Sequence, residues 1–313
     1  MRRLTMATSS LKKIINPYPV QDMSSTPVIN SNKQSPFCDR TYIMGVINIT
    51  ADSFSGDGLL KTGEVIDRSI RLAKRFIDAK ADILDIGGES TRPGATPVSE
   101  EEELSRIIPV IKAIRNRFTK IMISVDTLKA NVAEQAIAAG ANMINDVSGL
   151  TADPKMVTTV ARLNCPVVIM HSRLADMVEQ TEIGGRYINE NNMDITEEVV
   201  QDLEKLTIFA ISKGIKPQNI IIDPGIGFGK STEQNLAMLK NLGNFKKLDF
   251  PMLIGVSRKS CIGYTLQASV NQRLFGSLAA TSVAIMNGAN IIRTHDVKET
   301  AQAARIVDEI IAA

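Results

Sequence analysis

Ile220-Ile221-Ile222-Asp223-Pro224-Gly225-Ile226-Gly227-Phe228-Gly229-Lys230 is a run of β-branched apolar residues that ends on a carboxylate, followed by a proline and three glycines. A short apolar run bounded in this way reads as a buried strand, and the glycines as a tight loop whose backbone can approach a ligand closely. The same layout recurs along the chain with a different polar residue each time. Candidate strands are 42–49, 83–86, 121–125, 143–145, 167–170, 220–222, 252–256 and 290–293. Helical patterns fall between them, over 64–78, 100–117, 130–139, 196–212 and 272–286. Ser99 followed by Glu102 predicts a capping box at the second of these. Gly140, Gly214 and Gly288 stand where helix C-caps precede the next strand.

Eight strand–helix alternations imply a parallel sheet, and eight is the number that closes as a (β/α)8 TIM barrel, an α/β fold. An open doubly wound sheet is the runner-up, weakened by the lack of GxGxxG after the first strand. The barrel is assigned to residues 39–313 as one domain. Residues 1–38 are rich in Ser, Thr, Pro and Asn and lack periodicity, and so read as a disordered tail. That tail is basic, with Arg2, Arg3, Lys12, Lys13 and Lys33 against Asp22. The composition suits an organellar transit peptide, but no sustained Arg-rich amphipathic helix is visible, so a cytoplasmic protein is the expectation and import the minority alternative.

The net charge of +2, with no Lys/Arg stripe, gives no sign of a nucleic-acid partner. No apolar run reaches the roughly 18 residues that read as a membrane span. The three cysteines, Cys38, Cys165 and Cys261, are scattered, which argues against a disulfide framework or zinc. With His171 and His295 the only histidines, a multi-His metal site is excluded.

The C-terminal ends of barrel strands gather at one face. Here they read Asn48; Asp85 with Gly87-Gly88-Glu89; Asp126; Asn145 and Asp146; Met170 and His171; Asp223; Ser257-Arg258-Lys259; and Arg293 with His295-Asp296. One strand-end Asp alone is more often a cap or turn former, and Asp85 and Asp146 are read that way. Eight polar ends together suit a site. Asp126, Asn145, Asp223 and Lys259 suit a flat heterocycle with an amide-like edge and amino groups, since carboxylates pair well with an N–C–N edge. Arg293, His295 and Asn48 come from the last and first strands, neighbours in a closed barrel, and suit phosphate.

In order along the chain, these segments resemble the dihydropteroate synthase family: Met44-Gly45-Val46-Ile47-Asn48-Ile49-Thr50 with Asp52-Ser53-Phe54-Ser55; Asp85 through Gly94; Ser124-Val125-Asp126-Thr127; Ile144-Asn145-Asp146; Asp223 through Lys230; Ser257-Arg258-Lys259-Ser260; and Arg293 through Val297. The resemblance implies a transferase of folate biosynthesis. It would join 4-aminobenzoate to 6-hydroxymethyl-7,8-dihydropterin diphosphate, giving 7,8-dihydropteroate and diphosphate. It implies pterin contacts from Asp126, Asn145, Met170, Asp223, Phe228 and Lys259, with Asp126, Lys259, Arg293 and His295 carrying catalysis. It places diphosphate against Asn48, Arg293 and His295, with Mg2+ at Asn48, and aminobenzoate against Phe54, Thr91, Arg92, Pro93 and Ser257. It also implies sulfonamide inhibition and a homodimer. No pyrophosphokinase domain is attached, so a free-standing enzyme is expected.

Three departures from the family pattern bear on the loops. Ala51 stands where Pro is usual, which frees a backbone torsion. Gly56-Asp57-Gly58 replaces an Asp-Gly-Gly order. Ser172 replaces a bulkier residue, and the stretch Arg173–Asp194 is long and reads as structureless. Two rivals remain: a folate-dependent methyltransferase on a related barrel, which needs no diphosphate site, and a non-catalytic pterin-binding module.

Overall fold

The structure is a computed structural model that describes residues 4–5, 36–50, 62–90, 95–173, 178–181, 183–187 and 194–313. Eight parallel strands form one sheet: β1 (Tyr42–Asn48), β2 (Ile83–Gly87), β3 (Met122–Asp126), β4 (Met143–Asp146), β5 (Val167–Met170), β6 (Ile220–Asp223), β7 (Leu253–Ile254) and β8 (Ile291–Thr294). The hydrogen-bonded order runs β7-β8-β1-β2-β3-β4-β5-β6, and an Ile222–Met252 bridge joins the two edges. The sheet therefore closes as the expected barrel. Around it lie α1 (Thr62–Asp78), α2 (Glu100–Arg117), α3 (Ala130–Ala138), α4 (Met156–Leu163), α5 (Ile195–Ser212), α6 (Thr232–Lys240), α7 (Ser260–Leu266), α8 (Leu274–Met286) and α9 (Val297–Ala312).

The period of two along each strand sorts the side chains into two cores. Residues facing outward, such as Ile43, Leu84, Ile86, Ile123, Val125, Ile144, Ile169 and Ile222, pack against the helices. Those facing inward make a smaller cluster of Met44, Ile83, Met143, Val168, Ile221, Leu253 and Ile291, with Met122 against it. Each strand contributes one residue, so this is a packed layer across the barrel floor. Two positions further along the strands, the inward residues are Val46, Asp85, Ser124, Asn145, Met170, Asp223, Gly255 and Arg293. The floor is dry, and the layer above it is charged.

Phe37 joins the floor cluster, 2% exposed, its ring edge-on to Tyr42 at 5.2 Å between centroids. The Tyr42 hydroxyl donates to the Pro36 carbonyl at 2.7 Å. Phe37, which the sequence reading left in the tail, thus covers the apolar underside of the barrel. Leu4–Thr5 also pairs antiparallel with Val178 and Glu179. The rest of the segment read as a tail lies outside the described residues.

The capping at α2 is half the expected box. Ser99 Oγ accepts from Glu102 N–H at 3.2 Å, while the Glu102 carboxylate pairs with Arg106. Gly140, Gly214 and Gly288 have φ of 117°, 96° and 105°, as C-cap positions require. The stretch 173–194 is not structureless throughout. Val178–Thr181 and Gly184–Tyr187 form an antiparallel hairpin, held where the Tyr264 hydroxyl meets the Gly184 carbonyl at 2.8 Å.

Candidate active site

The barrel mouth is built on the charged layer. Asp85 was read as a cap, and the structure corrects this: it points into the barrel, fully buried, two residues above Ile83 of the floor. Its Oδ2 accepts from Arg293 Nε at 2.6 Å and from Asn145 Nδ2 at 3.2 Å. Arg293 Nη2 donates to Asp126 Oδ2 at 2.7 Å. Arg293 is therefore brought together with Asp85 and Asp126, and through Asp85 with Asn145. The alternation from Ile83 to Asp85 to Gly87 was the signal that marks Asp85 as inward. Asp146 behaves as expected, accepting from the Ser148 and Leu150 amides in its own turn.

Asp223 ends β6 opposite Met170 of β5 in register. Its Oδ1 accepts from Gly225 N–H at 2.7 Å, which starts the glycine loop. Gly225 has φ 71°, and a Cβ on it would fall 1.9 Å from the His171 carbonyl, so no side chain fits. Lys230, whose role the sequence did not reveal, threads back under the loop. Its Nζ donates to the carbonyls of Gly225 at 3.0 Å, Phe228 at 3.1 Å and His171 at 3.4 Å. Lys259 comes from the β7 side, bonds the Ile226 carbonyl, and lies 4.3 Å from the centroid of the Phe228 ring. Gly227 makes this approach possible, since a Cβ there would meet the Lys259 stem at 2.7 Å.

Burial dominates the electrostatics. It pushes the Asp126 carboxyl up to about 7, against the pull of Arg293, with Asp85 adding to the rise. Burial also raises Asp223, opposed by Lys259. It lowers Lys259 to about 8 and Lys230 to about 7, in both cases against the attraction of Asp223. Arg293 is held more firmly charged, because Asp85 and Asp126 outweigh its own desolvation. The mouth thus holds acids and bases that titrate near neutrality, where proton exchange with a bound ring is cheapest.

Of the remaining expected residues, Asn48 ends β1 in register with Gly87, and Ser257 and His295 meet directly. Ser257 Oγ lies 3.1 Å from His295 Nδ1 and accepts from the His295 amide at 3.2 Å. His171 is not at the mouth. It is buried under α5, with Nε2 3.5 Å from Asp202, and burial lowers it to about 4. Phe54, Ala51, Gly56-Asp57-Gly58, Thr91, Arg92 and Pro93 lie outside the described residues. A cavity of about 850 Å3 on the barrel flank, between α1 and α9, touches only His295 of the site residues and is separate from the mouth. Among the described residues no three His, Cys, Asp or Glu side chains gather as a metal cage.

The profile of the pterin-binding enzymes matches residues 44–295, the span from β1 to His295. The chain is 46% identical over 281 residues to the dihydropteroate synthase of Clostridium beijerinckii, covering 90% of this chain and 98% of that one. The chain belongs to the dihydropteroate synthase family. The Clostridium difficile dihydropteroate synthase, crystallised in the presence of pteroic acid, superposes with a TM-score of 0.79 at 42% identity over 87% of this chain and 97% of that one. The Yersinia pestis dihydropteroate synthase, in a sulfonamide complex, gives 0.78 at 37% identity over 88% and 95%. The activity is that of the dihydropteroate synthases: a transferase of folate biosynthesis that condenses the dihydropterin diphosphate with 4-aminobenzoate and releases diphosphate. This sets aside the methyltransferase and the non-catalytic module.

Proposed function

We propose that the charged layer of the barrel mouth is the pterin subsite of this dihydropteroate synthase. Asp126, Asn145, Asp223 and Lys259 take the polar edges of the ring, and Met170 and Phe228 its faces. The observation that carries this reading is the burial of Asp126, Asn145 and Asp223 at the ends of β3, β4 and β6, with Lys259 reaching the Ile226 carbonyl in the loop after β6. Two carboxylates placed so can accept from the amino groups of the ring and support the positive character that its methylene carbon gains as diphosphate departs. The arylamine is a weak nucleophile, so orientation and exclusion of water contribute more than a strong base.

Asn48 and His295 are assigned to the diphosphate at the β8/β1 seam, with Arg293 adding charge from within the layer. Mg2+ bound there through Asn48 and the substrate would stabilise the leaving group. Phe54, Thr91, Arg92, Pro93 and Ser257 are assigned to 4-aminobenzoate, and sulfonamides to the same pocket, as the complex of the Yersinia pestis relative suggests. A homodimer through α8 and α9 is supported by the exposed Phe275, Val283, Met286, Ile306 and Ile310 on those helices. A cytoplasmic setting is supported by three free cysteines. The test is turnover with and without Mg2+, combined with calorimetry of a sulfonamide in the presence of diphosphate. Loss of activity on chelation and sulfonamide binding competitive with aminobenzoate are expected. Full activity in chelator, or binding indifferent to aminobenzoate, contradicts the respective assignment.

A further inference from the structure

Arg258 sits between Ser257 and Lys259, and its backbone is left-handed, with φ 58°. A residue with a Cβ resists that conformation, so its surroundings must hold it. Two buried side chains one turn apart at the start of α8 do so. Ser277 Oγ accepts from the Arg258 N–H at 2.9 Å, and Arg273 Nη1 donates to the Arg258 carbonyl at 3.0 Å. Ser277 in turn donates to the Arg273 carbonyl at 2.8 Å, which fixes its hydroxyl as the acceptor for Arg258. The Arg258 side chain is drawn the other way, forking onto Asp296 with Nε 2.9 Å from Oδ2.

Arg273 is itself anchored. Nε donates to the Ala268 carbonyl at 3.0 Å and Nη2 to the Ile183 carbonyl in the hairpin turn. Its guanidinium lies against Gly263, where a Cβ would come within 2.4 Å of Cζ. The hairpin is fastened beside it, with the Tyr264 hydroxyl 2.7 Å from Thr181 Oγ1. Tyr187 of the same hairpin bonds the Gly229 backbone in the glycine loop. The hairpin therefore joins the loop after β6 to the loop after β7.

We propose that Arg273 and Ser277 are positioning residues for the condensation: they clamp Arg258 in the left-handed conformation that aims Ser257 and Lys259 into the mouth, with the hairpin anchoring Arg273. The proposal rests on the assignments of Ser257 and Lys259 above. Neither clamp residue is assigned a contact with substrate.

Glycine adopts a positive φ freely, so Arg258→Gly relieves the need for the clamp. The test is a double-mutant cycle read as kcat/KM for aminobenzoate, with thermal melting of every variant. Ser277→Ala lowers kcat/KM roughly tenfold in the native background and by less than about threefold with Arg258→Gly present. Arg273→Lys, which keeps the charge but not the fork, follows the same pattern. Equal losses in both backgrounds, or lower melting with kcat/KM unchanged, overturns the proposal. Lys259→Ala serves as the reference. If it retains near-native kcat/KM, the site assignment fails and takes the clamp with it. If it is inactive while Ser277→Ala and Arg273→Lys behave as native, only the clamp fails.

Discussion

Replacing Asp85 by asparagine tests the charged layer where its wiring is most specific. The carboxylate is fully buried and accepts from Arg293 Nε at 2.6 Å and Asn145 Nδ2 at 3.2 Å, while its other oxygen has no hydrogen-bond partner among the described residues. Asn keeps the shape and an acceptor oxygen but removes the charge. Exchanging a charge-assisted hydrogen bond for a neutral one lowers stability by about 1–2 kcal/mol. Arg293 keeps Asp126 as a partner, so the larger penalty of an uncompensated buried charge is avoided. Asp85→Ala removes the acceptor as well, leaving Arg293 Nε and Asn145 Nδ2 without this partner, and costs a further ~1–3 kcal/mol. The charge of Asp85 also helps to hold the Asp126 carboxyl high. Without it Asp126 ionises at lower pH, and the acid limb of the kcat/KM profile moves down. Urea unfolding and a pH–rate profile on both variants read the two effects. An Asp85→Asn protein with native stability and an unmoved acid limb would refute the reasoning, because it would mean that Arg293 is not shared between the two carboxylates.

Three further outcomes follow from the same structure. His171 is held neutral at about 4, well below its ordinary value, so the unfolded chain binds its proton first and stability falls as pH drops from about 6.5 towards 4. The loss amounts to about 3 kcal/mol at pH 4 and should shrink in His171→Gln; an unchanged acid-unfolding curve contradicts this. A chain starting at Asp39 loses the Phe37 plug and about 2–4 kcal/mol of stability, whereas one starting at Ser35 retains it; equal melting of the two contradicts the role of Phe37. Phe275→Glu, at an 81% exposed position, should convert a dimer into monomers in sedimentation without unfolding the barrel, and a persistent dimer rules out this face.

The fold was legible because the barrel strands are short apolar runs with polar residues at or just beyond their ends, and α3, α5 and α8 end at Gly140, Gly214 and Gly288 with positive φ. β7 was the weakest case: five residues read as strand, but only Leu253–Ile254 form the strand itself, with Met252 adding the single bridge to Ile222. Asp126, Asn145, Asp223 and Lys259 were legible as strand ends. Asp85 was missed because it was judged by its place near a strand end rather than by the face it shares with Ile83. The partnership of Arg293 with the β2 and β3 carboxylates was not legible, since it joins residues 208 and 167 positions apart. The same holds for the hairpin. Its fastening residues, Tyr264 and Arg273, lie 83 and 90 positions from their partners, and nothing in the local sequence announces them. Phe37 was hidden by the Ser- and Pro-rich stretch before it, though its ring is buried with the floor cluster.

The most direct test of the account is a coupled assay that follows dihydropteroate and diphosphate from the purified chain, given the dihydropterin diphosphate and 4-aminobenzoate, beside Asp126→Ala and Lys259→Ala. The account predicts equimolar release of both products by the native protein, dependent on aminobenzoate. Both variants should lose turnover, losing several kcal/mol of transition-state stabilisation in a desolvated site while keeping a folded barrel by circular dichroism. Near-native kcat/KM in either folded variant, or diphosphate release without dihydropteroate in the native protein, would contradict it.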